Sequence, residues 1–133
     1  MKKLTVLLLL LLTACGTSNR DLYGKWKFAD LQFLDPKTAP TDSFEADQIK
    51  DLYQGMTFHF EPDNKVTMEA PVLTKEIEKG TFELQSDDVL KLTYSGGEMH
   101  SYKIVKVKER ELQLESLDAR QKDEPEVRFI FKR

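Results

Sequence analysis

The chain has 133 residues, 40% of them apolar, with 20 Lys and Arg against 23 Asp and Glu and a single cysteine. That length excludes two ordinary domains and leaves room for one modest core. The acidic balance argues against nucleic acid as a partner, and a lone cysteine excludes an intramolecular disulfide.

Lys2 and Lys3 precede the run Leu4 to Leu12, interrupted only by Thr5, which together have the charged and apolar regions of an export signal. A bilayer-spanning helix needs roughly 20 apolar residues, so the run is too short for a permanent span. Leu12-Thr13-Ala14-Cys15 follows and resembles the lipobox of bacterial lipoproteins, which implies cleavage before Cys15 and acylation of that cysteine. Residues 1–14 are then expected to be a signal peptide, residues 15–21 a lipidated polar tether, and residues 22–133 the folded domain. Two or three acyl chains hold a membrane firmly without a basic patch. An acylated Cys15 keeps no thiol for catalysis or metal binding. In the sorting pattern of such lipoproteins, Gly16 after the cysteine implies the outer membrane, and the lack of an acidic run after it favours the periplasmic face. Loss of Lys2 and Lys3 with the leader leaves 18 basic against 23 acidic side chains, a balance of −5.

From Leu22 onward the dominant period is two, the mark of strands with one buried face. Leu22, Gly24, Trp26 and Phe28 alternate with Tyr23, Lys25, Lys27 and Ala29. A break follows, in which Asp42 and Glu45 form a capping-box pattern and Ile49, Leu52 and Tyr53 share a helical face, so a helix is predicted over 43–54, ended by Gly55. Met56, Phe58 and Phe60 then resume the alternation. Pairing Phe60 with Val66 and Phe58 with Met68 leaves Pro62-Asp63-Asn64 as a loop, with Asn64 in the left-handed position. Pairing Leu84 with Leu90 leaves Ser86-Asp87-Asp88 as a second loop and sets Glu83 opposite Lys91. Gly96-Gly97 marks a hairpin with an expected bulge. Tyr102 and Ile104, Leu112 and Leu114, then Val127, Phe129 and Phe131 complete eight strands.

Sequential hairpins of this kind close into a barrel or fold as a two-sheet sandwich, and spacing does not choose between them. Tyr23-Gly24-Lys25-Trp26 resembles the G-x-W signature of lipocalins and related calycin barrels, with Gly24 and Trp26 in the signature positions. The resemblance is closest to small bacterial lipocalin-like lipoproteins and extends from Leu22 to Arg133. It implies that the eight strands, with the one short helix between the first two, form an all-β, antiparallel up-and-down barrel. It also implies an arginine near the end of the last strand packed across the tryptophan. Arg128 is the best match and Arg133 the substitute. The further motifs of larger lipocalins are lacking, and the domain is shorter than theirs.

No catalytic pattern is visible. His59 sits on the polar face of its strand and His100 near a glycine turn, and both read as solvated. No histidine spacing suits zinc. The acidic stretches Asp87-Asp88 and Asp118 to Glu126 lack the ligand spacing and central glycine of a calcium loop. Neither a nucleophile elbow nor a phosphate loop is present. No enzyme activity, metal or cofactor is therefore expected. The inner face remains: Phe28, Phe58, Phe60, Phe82, Tyr94, Tyr102 and Phe129 are the candidate lining of an apolar pocket, with the insertion from Pro36 to Gly55 as its lid. The expected function is that of a membrane-anchored binding protein for a small hydrophobic ligand. The alternative is an envelope protein-interaction module whose barrel is filled by its own side chains.

Overall fold

In the computed structural model, which describes residues 16–133, the period-two segments become eight antiparallel strands. They are β1 (Gly24–Phe33), β2 (Thr57–Phe60), β3 (Lys65–Glu69), β4 (Glu78–Ser86), β5 (Val89–Tyr94), β6 (Met99–Val107), β7 (Glu111–Ser116) and β8 (Val127–Lys132). Each pairs with its neighbour in sequence and β8 closes on β1, so the sheet is an up-and-down barrel without free edges. Residues 1–15, with the expected signal peptide and the expected lipidation site Cys15, lie outside the described residues.

A helical turn α1 (Asn19–Leu22) precedes the barrel, and a helix α2 (Ser43–Asp51) lies between β1 and β2. Asn19 and Arg20, expected in the tether, thus enter a turn that delivers Leu22 to complete burial. The Asp42 carboxylate caps α2, accepting the backbone N–H groups of Phe44 at 2.6 Å and Glu45 at 3.2 Å. The helix stops at Asp51, short of the expected end. A tight turn follows it, leading to Gly55 at φ 78°. Of its expected shared face, Tyr53 packs on the core while Leu52 is exposed.

The registers required by pattern and charge are those adopted. Phe60 faces Val66 and Phe58 faces Met68; Leu84 faces Leu90, with Glu83 opposite Lys91. Asn64 takes φ 63°. The second loop is tighter than expected: a bulge sets Ser86 opposite Val89 and leaves only Asp87-Asp88 to turn. The Gly96-Gly97 bulge stays within its turn, where Gly97 has φ 88° and donates to the Tyr94 carbonyl at 2.9 Å. Two other bulges fall inside long strands. Phe28 and Leu31 pair with Phe131 and Phe129, and Ile104 and Val107 pair with Leu114 and Leu112. In each case one strand spends three residues against two in its partner, so apolar side chains three apart reach the same face.

Because every pairing is antiparallel, the connections alternate between two ends. Residues 61–64, 87–88, 108–110 and α1 gather at one; residues 34–56, 70–77, 95–98 and 117–126 gather at the other.

Candidate binding cleft at the open end of the barrel

The first end is closed. Trp26 is fully buried, and its indole N–H donates to the Leu22 carbonyl at 2.8 Å. The Arg133 guanidinium lies 4.1 Å from the centre of the indole ring and donates to the carbonyl of Tyr23 and to that of Glu109. Arg133, not Arg128, therefore covers Trp26. The register explains the correction: β8 runs antiparallel to β1 with Lys27 opposite Lys132, so the last residues of β8 reach the tryptophan. Arg128 is opposite Gln32 instead, and its Nε and Nη2 each lie 3.1 Å from Glu115 on the neighbouring strand. Gly24, the other signature position, has φ 122° and faces the Arg133 side chain.

Above Trp26 the barrel is packed with aromatic rings. Phe60 stacks on Phe58 with centroids 5.7 Å apart, Phe82 meets Phe60 edge-on at 5.0 Å, and Phe131 meets Phe58 at 5.2 Å. Phe58, Phe60, Phe82 and Tyr94 are all buried, and Phe28 packs against the same core. These five expected pocket residues are thus core rather than lining. Large side chains converging from eight strands fill so narrow a barrel.

At the other end the packing gives way to a cleft of about 550 Å³. Of the expected lining, Tyr102 and Phe129 border it. Its floor is completed by Met56 and by Tyr53, whose ring meets Phe129 edge-on at 4.9 Å. Leu73 and the 117–126 loop form its walls, and Ile49 of α2 borders it, so part of the expected lid does lie over the opening. All seven exposed large apolar side chains among the described residues belong to this end: Phe44 and Leu52; Val72, Leu73 and Ile77; Met99; and Leu117.

The rim is polar and internally paired. His100 is in inward register with Leu92. Its Nδ1 lies 2.7 Å from an Asp118 carboxylate oxygen, and its Nε2 lies 3.0 Å from Glu98. The Ser101 backbone N–H donates to the other Asp118 oxygen at 3.0 Å. His100 is thus held between a hairpin turn and the 117–126 loop, not solvated as its place near the glycines suggested. His59 does face outward, between Lys25 and Thr67. Partial burial depresses the His100 pKa, but the bonds and charges of Asp118 and then Glu98 outweigh it, so the net shift is upward. The two carboxylates approach opposite ring nitrogens and share no point where an ion could sit; among the described residues no His, Cys, Asp and Glu group is placed to hold a metal.

Burial raises the pKa of the Tyr53 phenol, with the Glu124 charge adding to it. The Tyr102 phenol is raised as well, through burial first and then the Asp118 charge, with Glu98 adding to it. Both phenols stay neutral at neutral pH. An apolar floor beneath a polar rim can bury a hydrophobic body and leave a polar head in water. No protein-family model matches the chain, and no curated protein matches it.

Proposed function

We propose that the chain is a lipid-anchored, lipocalin-like binding protein of the bacterial envelope that holds a small hydrophobic ligand in its open-end cleft and performs no chemistry. The observation that carries this reading is the aromatic-floored cleft of about 550 Å³ at the mouth of a barrel whose other end is sealed. That volume lies within the roughly 300–1,000 Å³ of small-molecule sites. The lipobox resemblance supports an anchor on Cys15 and an outer-membrane, periplasm-facing location. Since α1 enters at the sealed end, an anchored barrel turns its mouth away from its own membrane.

Every strand and core side chain described above lies within residues 16–133, so this segment serves as the test protein. Incubated with an envelope extract and repurified, it is expected to retain a hydrophobic molecule, seen by native mass spectrometry and identified after solvent extraction. A clean apo mass with no uptake of an uncharged apolar dye would overturn the reading. For the anchor, Cys15→Ser is expected to abolish palmitate incorporation in growing cells; undiminished labelling would refute it. A second reading has its own support. The apolar side chains exposed at the open end favour an envelope protein docking there, and crosslinking at Phe44 or Ile77 that captures one defined partner in cells would establish it.

A further inference from the structure

We propose that the open-end cleft selects amphiphiles with a cationic head, an aliphatic or quaternary amine on a hydrocarbon body, because its aromatic floor lies inside the most acidic part of the molecule. This rests on the hydrophobe-binding reading above and names the ligand class of that site.

Charge is distributed unevenly between the two ends. Residues 34–56 carry five acidic and two basic side chains, residues 70–77 one of each, residues 95–98 one acidic, and residues 117–126 four acidic and two basic. The open end thus holds eleven carboxylates against five cations, a balance of −6 that exceeds the −5 of the chain without its leader. The strands and the sealed end together are slightly basic, so the negative field is concentrated at the mouth. A low-dielectric cleft with one dominant sign of charge focuses that field on whatever enters.

The cations that line the cleft are mostly engaged. Arg120 lies 3.6 Å from Glu126 and donates to the Glu124 carbonyl at 3.3 Å. His100 is held between Asp118 and Glu98. Lys103, in register with Glu115, is the remaining lining cation. Glu115 is itself paired with Arg128, so a carboxylate or phosphate head could reach Lys103 without displacing a pair, but only against the net negative charge of the open end. An ammonium head meets the opposite situation. Tyr53, Tyr102 and Phe129 line the cleft, and aromatic rings attract cations most strongly where water is partly excluded. Burial above all holds the phenolic protons of Tyr53 and Tyr102 in place, and the charges of Glu124 on Tyr53 and of Asp118 and Glu98 on Tyr102 add to it. Those negative charges would attract an ammonium placed at the rim. Leu73 and Leu117 border the cleft and are exposed, ready to cover a hydrocarbon body.

The test is calorimetric titration of residues 16–133 at neutral pH and low salt with three probes sharing a dodecyl chain, each below its micelle concentration. They are dodecyltrimethylammonium, dodecanol and dodecanoate. The ammonium is expected to bind about tenfold or more tightly than the carboxylate, with the gap shrinking as salt is added. Glu124→Gln is expected to narrow that gap. Equal or tighter binding of dodecanoate, with dodecanol also bound, overturns the charge selection and leaves the cleft reading standing. Binding of none of the three overturns the hydrophobe-binding reading itself and this inference with it.

Discussion

At the sealed end one tryptophan gathers several independent constraints. Trp26 is wholly buried, bonded to Leu22 and covered by Arg133. Replacing a buried tryptophan by alanine removes its transfer free energy and leaves a cavity, so Trp26→Ala is expected to cost about 3–5 kcal/mol. Arg133→Ala should cost about 1–2 kcal/mol through the lost cation–π contact and carbonyl bonds. Arg128→Ala should cost less than about 1 kcal/mol, because its pair with Glu115 is partly solvated. Urea unfolding of the three variants decides the matter: an Arg128 loss equal to that of Arg133 would contradict the assignment. The tryptophan was legible in the sequence, and its arginine was not. Two arginines close the chain five residues apart, and only the antiparallel register, which sets Lys132 beside Lys27, tells which one reaches the ring.

Among the elements, the hairpins whose turns need a left-handed residue were the readable ones. Asn64 at φ 63° and Gly97 at φ 88° mark their own positions. A residue with a Cβ pays about 1–2 kcal/mol in that conformation unless its side chain compensates. Asn64→Ala is thus expected to be less stable than Asn64→Gly by about 1 kcal/mol. Both variants lose the bond from Asn19 equally, so the difference isolates the backbone, and equal melting would argue against strain there. The bulges had no such marker, because the residues they insert are ordinary ones such as Ala29, Gln85 and Val105. The role of His100 was hidden for a related reason. Its partner Asp118 is distant in sequence, and its inward phase depends on how the Gly97 turn closes. That histidine makes the link between the 95–98 turn and the 117–126 loop dependent on pH. Its folded pKa is raised above the ordinary 6.5, so the link is at full strength below that value and is lost as pH rises through the folded pKa. Backbone protection factors in residues 117–126, with the intrinsic pH dependence of exchange divided out, should therefore fall from pH 6 to pH 8, and His100→Asn should remove that fall. A His100 midpoint below 6.5 by NMR titration would reverse the sign and defeat the proposal.

On the scale of the whole molecule, the barrel has two unlike ends, and the position of a side chain along its axis decides what that side chain can do. Alternation identified the inward face of nearly every strand, yet it cannot say how far up the axis a residue lies. That is why Phe58 and Phe129 looked equivalent in the sequence although one is core and the other borders the cleft. Phe129 stands near the open-end start of β8, and Tyr102 lies on the strand that leaves the 95–98 turn, whereas Phe58 is enclosed by Phe60, Phe131 and Tyr102. The difference predicts a crossed pair of mutational effects. Phe58→Ala should cost about 3–5 kcal/mol as a cavity forms in a filled interior. Phe129→Ala, at a partly solvated position, should cost about 1–2 kcal/mol. Affinity should follow the opposite order. Removing Phe129 strips the floor of the cleft and its edge-on contact with Tyr53, so retention of an uncharged apolar dye should fall about tenfold, the equivalent of roughly 1.4 kcal/mol. Phe58→Ala, assayed while still folded, should change retention much less. Equilibrium dialysis run beside urea unfolding reads both quantities on the same samples. Equal loss of dye in the two variants would mean that the ligand space reaches down into the barrel and that the aromatic stack does not fill it.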